Sequence, residues 1–176
     1  MPPVYRIKLL PSGETREFYG SRGDYYELED GTHIDVRSGP VWCRRCKDFM
    51  DGESIEGLED LDRQIADLRD PTSDLFGFFQ ESGSGSLGVD GIRFITRMLK
   101  RRRWREGRQS PPKCLGCGSA EVVLLPEGER VDNPTGTGWV EVTVTGHCST
   151  SFNNRFFTPE GDRIPRDTKP TYWTLP

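Results

Sequence analysis

The feature that most constrains this chain is a pair of Cys-x-x-Cys motifs that lie far apart in the sequence. Residues 43–46 are Cys-Arg-Arg-Cys, and residues 114–117 are Cys-Leu-Gly-Cys. In such a motif two thiolates converge on one ion, and two motifs together complete the tetrahedron of sulfur ligands that Zn²⁺ prefers. The sequence therefore predicts one zinc site, whose ligands are Cys43, Cys46, Cys114 and Cys117.

Residues next to the motifs bear on the geometry and charge of this site. Gly118 follows the second motif, and glycine accepts the left-handed backbone that a tight turn around a metal requires. Lys47 occupies the same place after the first motif, so an identical turn is not predicted there. A site with four thiolates carries net negative charge, which nearby cations offset. The cations predicted to do so are Arg44, Arg45, Lys47 and Lys113.

The two motifs and the β segments around them resemble a four-cysteine zinc ribbon, in which two zinc knuckles at the tips of β-hairpins share one zinc. The resemblance covers only the knuckles and their flanking strands, and residues 47–113 would form a helical excursion between them. It implies a closed structural metal site and identifies no specific family. Such a site supplies folding energy and does no hydrolytic chemistry.

Two alternatives for the cysteines stay open. Residues 42–47, Trp-Cys-Arg-Arg-Cys-Lys, are similar to a thioredoxin-type redox motif, although that motif needs a parallel strand before it and a long helix after it. Here a Gly-Pro pair precedes the motif, and Gly52 interrupts the segment after it. The other alternative is a set of local disulfides or free thiols. His147 and Cys148 are adjacent, and neighbours on a strand point to opposite faces, so the pair is not expected to act on one atom.

Strand-like and helix-like patterns divide the chain into a β body and an insertion. Residues 4–42 predict an antiparallel meander that includes a hairpin around the turn at residues 29–32. Residues 121–125, 139–145 and 156–164 predict further strands with a terminal hairpin. Apolar residues spaced by three and four predict one helix from about Ser54 to before Pro71 and a second over 89–105. The predicted fold is α+β and mostly antiparallel. It forms a single domain with a β body of residues 1–50 and 111–176 and a helical insertion of residues 51–110.

The insertion carries strongly opposed charges. Residues 51–81 hold ten acidic and two basic residues, a net of −8, whereas residues 97–108 hold seven basic and one acidic residue, a net of +6. The basic run either contacts a nucleic-acid backbone, with Trp104 available to stack on a base, or pairs with the acidic helix. The pI near 5.3 favours the pairing. The candidate nucleic-acid-binding or partner-binding residues are Lys100, Arg101, Arg102, Arg103, Trp104 and Arg105.

Composition and missing motifs limit the remaining function classes. The five cysteines are an odd number, and the N-terminal residues lack the apolar stretch of a secretory signal, so a reducing cytoplasmic location is expected. No stretch has the apolar length of a membrane span. Phosphate loops, nucleophile elbows and zinc-protease motifs are absent, and no small-molecule substrate is evident. We therefore expect a non-enzymatic zinc-binding module that contacts a protein partner, with a nucleic-acid-binding zinc ribbon second and a redox protein third.

Overall fold

The computed structural model of the chain describes residues 3–19, 23–80, 86–147 and 154–165. Over these residues the structure has eleven strands and three helices, mostly in antiparallel sheets, which confirms the α+β fold class. The strands are β1 Pro3–Leu10, β2 Thr15–Tyr19, β3 Asp24–Glu27, β4 His33–Asp35, β5 Ser38–Cys43, β6 Asp48–Glu53, β7 Val122–Leu124, β8 Arg130–Asp132, β9 Trp139–His147, β10 Arg155–Phe157 and β11 Arg163–Ile164. The helices are α1 Leu58–Asp67, α2 Asp74–Phe79 and α3 Val89–Gly107.

The chain divides into two compact units. The first, called the β unit here, consists of Met1–Ser54 and Ser110–Pro176, and the second, the helical unit, is Ile55–Gln109. Residues 51–53, which the sequence assigns to the insertion, belong instead to strand β6 of the β unit. The reason is pairing, because Asp51, Gly52 and Glu53 lie opposite Pro40, Gly39 and Ser38 of β5.

Sheet A of the β unit has the strand order β2-β1-β9-β8. Strand β1 pairs along its whole length with β9, with Ile7 opposite Val142 and Leu9 opposite Val140. Side chains alternate between the two faces of a strand, so these four residues share one face. They are buried together with Phe49 of β6 and Leu125, which follows β7, and this cluster is the apolar core of the β unit.

Sheet C, with the order β6-β5-β7, supplies the other side of that core. Strands β5 and β6 form a hairpin, and β7 pairs with the opposite edge of β5. Gly52 lies so close to Val41 that a Cβ there would stand 2.3 Å from Val41 Cγ1. Glycine at position 52 of β6 therefore leaves room for the side chain of Val41 on the neighbouring strand β5.

Sheet B has the order β11-β10-β3-β4. Strands β3 and β4 form the predicted hairpin around residues 29–32, and β10 and β11 form the predicted terminal hairpin. The two hairpins join through a parallel pairing of β10 with β3. The predicted meander over residues 4–42 is therefore wrong as one sheet, since its strands are divided among sheets A, B and C.

The helical unit has its own apolar core. This core contains Leu61 and Ile65 of α1, Leu68 at the C-terminal end of α1, and Met98 of α3. Phe79 of α2 stacks on Phe94 of α3, with ring centroids 5.0 Å apart. Helix α1 is shorter than its apolar spacing predicts, beginning at Leu58 rather than Ser54. Helix α2 contains three phenylalanines, and Ser73 before it accepts a capping hydrogen bond from the Phe76 backbone N–H at 3.0 Å.

Opposite charges of the insertion meet inside this unit. Arg101 binds Glu56, with Nη2 and Oε2 2.9 Å apart, and Arg102 forms an ion pair with Asp62. Hydrogen bonding and charge from Arg102 hold the pKa of Asp62 below its usual value. The pairing of the acidic and basic segments, one of the two outcomes considered from the sequence, therefore occurs at these positions.

Substitutions at two adjacent residues of α3 test which face of this helix is buried. Met98 is 3% exposed and Leu99 is 41% exposed. We expect Met98→Ala to lower the free energy of unfolding by about 2–5 kcal/mol, because it leaves a cavity among packed side chains. Leu99→Ala should change it by less than about 0.5 kcal/mol. Denaturant unfolding monitored by circular dichroism measures both, and equal losses would contradict the orientation.

Candidate metal centre

The four cysteines lie at the ends of short β segments of the β unit. Cys43 is the last residue of β5, and Cys46 lies in the turn that joins β5 to β6. Cys114 forms an isolated bridge with Gly52 of β6, and Cys117 lies in the turn that comes next. Residues 113–115 thus lie along the β6 edge of sheet C, and β7 lies along the β5 edge with its first residue, Val122, opposite Cys43.

The sulfur atoms form one cluster. All four Sγ atoms lie within 4.8 Å of one another, and the Sγ atoms of Cys43 and Cys117 are 3.5 Å apart. Four sulfurs at about 2.3 Å from a tetrahedral Zn²⁺ would be about 3.8 Å from one another. The cluster therefore has the size of a tetrahedral thiolate site. Cys43 and Cys114 are buried, and Cys46 and Cys117 are partly exposed.

The two turns have the same backbone geometry. The N–H of Lys47 donates to the carbonyl of Cys43 at 2.8 Å, and the N–H of Gly118 donates to the carbonyl of Cys114 at 2.8 Å. Lys47 has φ of +56° and Gly118 has φ of +73°. The sequence did not predict an identical first turn, because lysine stands where glycine is expected. The structure shows that lysine adopts the left-handed backbone at this place.

Backbone N–H groups donate to the sulfur atoms, and together with burial they shift the pKa of individual thiols. The N–H of Cys46 donates to Cys43 Sγ at 3.4 Å, as in a zinc knuckle. Burial raises the pKa of Cys114, while hydrogen bonds from the backbone of Cys117 and Gly116 partly offset that effect. Burial would also raise the pKa of Cys117, but the Ser119 N–H and hydrogen bonds from the other thiols leave it lowered.

Main-chain hydrogen bonds fix the second knuckle to the first hairpin. The N–H of Leu115 donates to the carbonyl of Asp51, and the N–H of Glu53 donates to the carbonyl of Lys113, each at 2.9 Å. On the other side, the N–H of Arg44 donates to the carbonyl of Glu121 at 3.0 Å. A Cβ on Gly116 would lie 2.7 Å from Met50 Cε, so glycine allows Met50 to pack against the knuckle.

An arginine that the sequence analysis did not single out lies beside the second knuckle. Arg155 of β10 donates to Asp24 through Nε and Nη2, at 2.8 and 2.5 Å, and its Nη2 also lies 3.3 Å from Asp51 Oδ2. Its Nη1 lies 3.4 Å from the carbonyl oxygen of Leu115. Although burial opposes it, the two carboxylates raise the pKa of Arg155. Arg155 therefore connects sheet B to the metal centre.

A second set of buried polar contacts connects sheet B to the segment that carries the second cysteine motif. Glu53 is 0% exposed and accepts hydrogen bonds from the Tyr26 hydroxyl and from the Lys113 N–H, each at 2.7 Å. Lys113 Nζ binds Asp162 at 2.6 Å. A carboxylate therefore engages this ammonium group, and the role of Lys113 in offsetting the thiolate charge stays a prediction. Arg44, Arg45 and Lys47 are exposed next to the first knuckle.

The six candidate partner-binding residues of α3 have different environments. Lys100 and Arg103 are exposed. Arg101 is 5% exposed and engaged by Glu56, Arg102 is paired with Asp62, and Arg105 Nε donates to the carbonyl of Glu56 at 3.1 Å. The expectation that Trp104 is available for base stacking is wrong, because Trp104 is 5% exposed and its ring lies near the guanidinium groups of Arg101 and Arg108.

His147, one of the remaining candidates, does not join the cluster. His147 is an exposed residue at the end of β9, and Cys148 lies outside the described residues. Within residues 3–19, 23–80, 86–147 and 154–165, the four clustered cysteines are the one group of metal-binding side chains that could hold an ion. The segment after Cys46 is the turn into β6, so it does not form the long helix of a thioredoxin-type site.

The function is inferred from the geometry of the cysteine cluster, because comparisons with known proteins give no further indication. No protein-family model, curated protein or solved structure matches the chain. In the part of the chain that the structure describes, no helix is both long and apolar enough to cross a membrane.

Two glycines offer a test of the knuckle geometry. Gly118 has a left-handed φ and open space around a Cβ, so Gly118→Ala should lower the free energy of unfolding by about 1–2 kcal/mol through backbone strain alone. Gly136 also has open space, but its φ is not left-handed. Gly136→Ala should therefore be neutral or stabilising by up to about 1 kcal/mol. Equal effects in denaturant unfolding would contradict a strained turn at Gly118.

Proposed function

We propose that this chain is a non-enzymatic zinc-binding module in which one structural zinc organises the β unit and the folded chain contacts a protein partner. The observation that carries the proposal is the cluster of four Sγ atoms within 4.8 Å of one another. All four donors are thiol sulfurs, which are ligands suited to a structural zinc site. A cytoplasmic location is part of the proposal, since free thiols persist in a reducing compartment.

The donor set favours a structural role over a catalytic one. A catalytic zinc site keeps one position open for water or substrate, whereas four cysteines fill a tetrahedron. Bound there, zinc would supply the link between the β5–β6 hairpin and the segment containing Cys114 and Cys117. The protein's own groups orient the sulfurs, through the N–H of Cys46 on Cys43 and the N–H of Ser119 on Cys117.

A protein partner is favoured by how the charges of α3 are used. Arg101 and Arg102 are engaged by carboxylates of the helical unit, which leaves Lys100 and Arg103 exposed beside apolar residues of the same helix. A mixed apolar and basic surface is more typical of a protein interface than of a phosphate-binding surface.

Metal analysis tests the zinc proposal. Purified protein should contain about one zinc per chain, measured by elemental mass spectrometry, and a chelator should unfold the β unit because metal binding supplies folding energy. Cys46→Ser and Cys117→Ser should each lose the metal. Cys148→Ser, which changes the fifth cysteine, is the matched control and should retain it.

Two results would contradict the zinc proposal. One is a metal-free protein whose thermal unfolding matches that of the zinc-loaded form. The other is a Cys46→Ser variant with unchanged zinc content and unchanged unfolding, since this would mean that the two motifs do not share an ion.

Nucleic-acid binding is a second candidate, favoured by the exposure of Arg97, Lys100 and Arg103 on one helix. If it occurs, affinity for a single-stranded oligonucleotide should fall steeply with salt, because binding to phosphates releases counterions. Lys100→Glu together with Arg103→Glu should remove it, whereas Arg63→Glu on α1 should not. Fluorescence anisotropy in low and high salt measures this. Binding that is absent, or insensitive to salt, eliminates this candidate.

A further inference from the structure

We propose that the outward face of α3 binds an acidic amphipathic helix of a protein partner. The inference rests on the proposed function as an interaction module and assigns the surface and the chemistry of the partner. The surface, called the α3 stripe here, consists of Val89, Ile92, Thr96 and Leu99, and its basic border consists of Arg93, Lys100 and Arg103.

Helix α3 has a second apolar face besides the one in the core of the helical unit. Met98 is buried against α1, whereas Val89, Ile92 and Leu99 are 65%, 55% and 41% exposed. Residues 89, 92, 96 and 99 are spaced by three, four and three, so Val89, Ile92 and Leu99 lie in one line along the helix. Thr96 lies between Ile92 and Leu99, and its hydroxyl donates to the Ile92 carbonyl at 2.8 Å. Isolated exposed apolar residues are common, but an aligned set on a well-formed helix is typical of a helix-docking surface.

Basic side chains border this stripe. Arg93 and Lys100 directly follow Ile92 and Leu99, so they lie on the same flank, and Arg103 continues the line of the stripe one turn beyond Leu99. Arg93 is 72% exposed at its side chain, with Asp90 3.6 Å away on the same turn. Lys100 and Arg103 are exposed as well. The surface therefore presents an apolar seam with a positively charged edge.

The charges beside the α3 stripe indicate which kind of partner helix binds there. In paired helices the residues next to the apolar seam face each other, and complementary charges there set the choice of partner. A partner helix with an apolar seam and flanking Glu or Asp would meet Arg93, Lys100 and Arg103 with opposite charge. A second copy of α3 would instead bring basic residues opposite basic residues, so self-association through this face is disfavoured.

The test uses two synthetic helical peptides and the full chain. Both peptides have three heptads with Leu at the seam positions; one has Glu at the flanking positions and the other has Lys there. The Glu peptide should bind the zinc-loaded protein with an affinity at least about tenfold higher than the Lys peptide, measured by fluorescence anisotropy at physiological salt. Equal binding of both peptides, or binding of neither, overturns the proposal.

Variants locate the interaction. Ile92→Asp and the double change Arg93→Glu with Lys100→Glu should each weaken binding of the Glu peptide by about tenfold or more, because the first places a charge in the seam and the second reverses its border. Arg63→Glu and Arg69→Glu, at exposed positions of the helical unit outside α3, are the matched controls and should leave binding unchanged. Circular dichroism must show the same helical content for all variants, and loss of binding in the controls as well contradicts the assigned face.

Two further measurements separate the other occupants. Anionic vesicles of phosphatidylserine and phosphatidylcholine should bind more weakly than the Glu peptide; tighter binding to the vesicles through Ile92 and Lys100 would overturn the assignment to a protein. Sedimentation should show a monomer in the absence of peptide, and a dimer that Ile92→Asp dissociates would overturn the proposal by assigning the stripe to self-association. Zinc content, measured on the same samples, keeps failure of this inference distinct from failure of the zinc proposal.

Discussion

The cluster of four thiols joins two parts of the β unit that are far apart in the sequence. One part is the β5–β6 hairpin, which carries Cys43 and Cys46, and the other is the segment from residue 113 to β7, which carries Cys114 and Cys117. The main-chain pairing between them is short, since β7 has three residues and the contact with β6 is an isolated bridge. Short strands of this kind are marginally stable without further support. An ion held by all four thiols would close the long loop between the motifs and make this pairing persistent.

Two different kinds of interaction attach sheets A and B to the part of the β unit that carries the cysteine cluster. Sheet A packs through apolar side chains, with Ile7 and Val142 against Phe49 of the knuckle hairpin. Sheet B is connected through polar side chains, Arg155 to Asp24 and Leu115, and Glu53 to Tyr26. A buried carboxylate such as Asp24 is costly unless a cation pairs with it, so the geometry of sheet B and that of the knuckle constrain each other.

Features determined by local sequence were predictable, and features determined by distant pairing were not. The cysteine spacing predicted the cluster, and turn residues predicted the β3–β4 and β10–β11 hairpins. Strand β6 was missed because residues 48–53, with two Asp, a Gly and a Glu, have low strand propensity, and pairing with β5 overrides it. Arg155 was missed because its partner Asp24 lies 131 positions away. Trp104 looked accessible among arginines, yet the fold buries it.

The insertion begins and ends beside the same two hydrogen-bonded residues. Glu53 and Lys113 are paired by main chain and side chain, and the adjoining residues are held as well, Ser54 by the Arg37 carbonyl and Ser110 by Glu160. The β unit therefore closes on itself without needing the sequence in between. A change in the length or surface of Ile55–Gln109 would therefore leave the hydrogen bonds at its two ends and the cysteine cluster in place. The cysteine cluster and the charged helices thus lie in separable stretches of the chain.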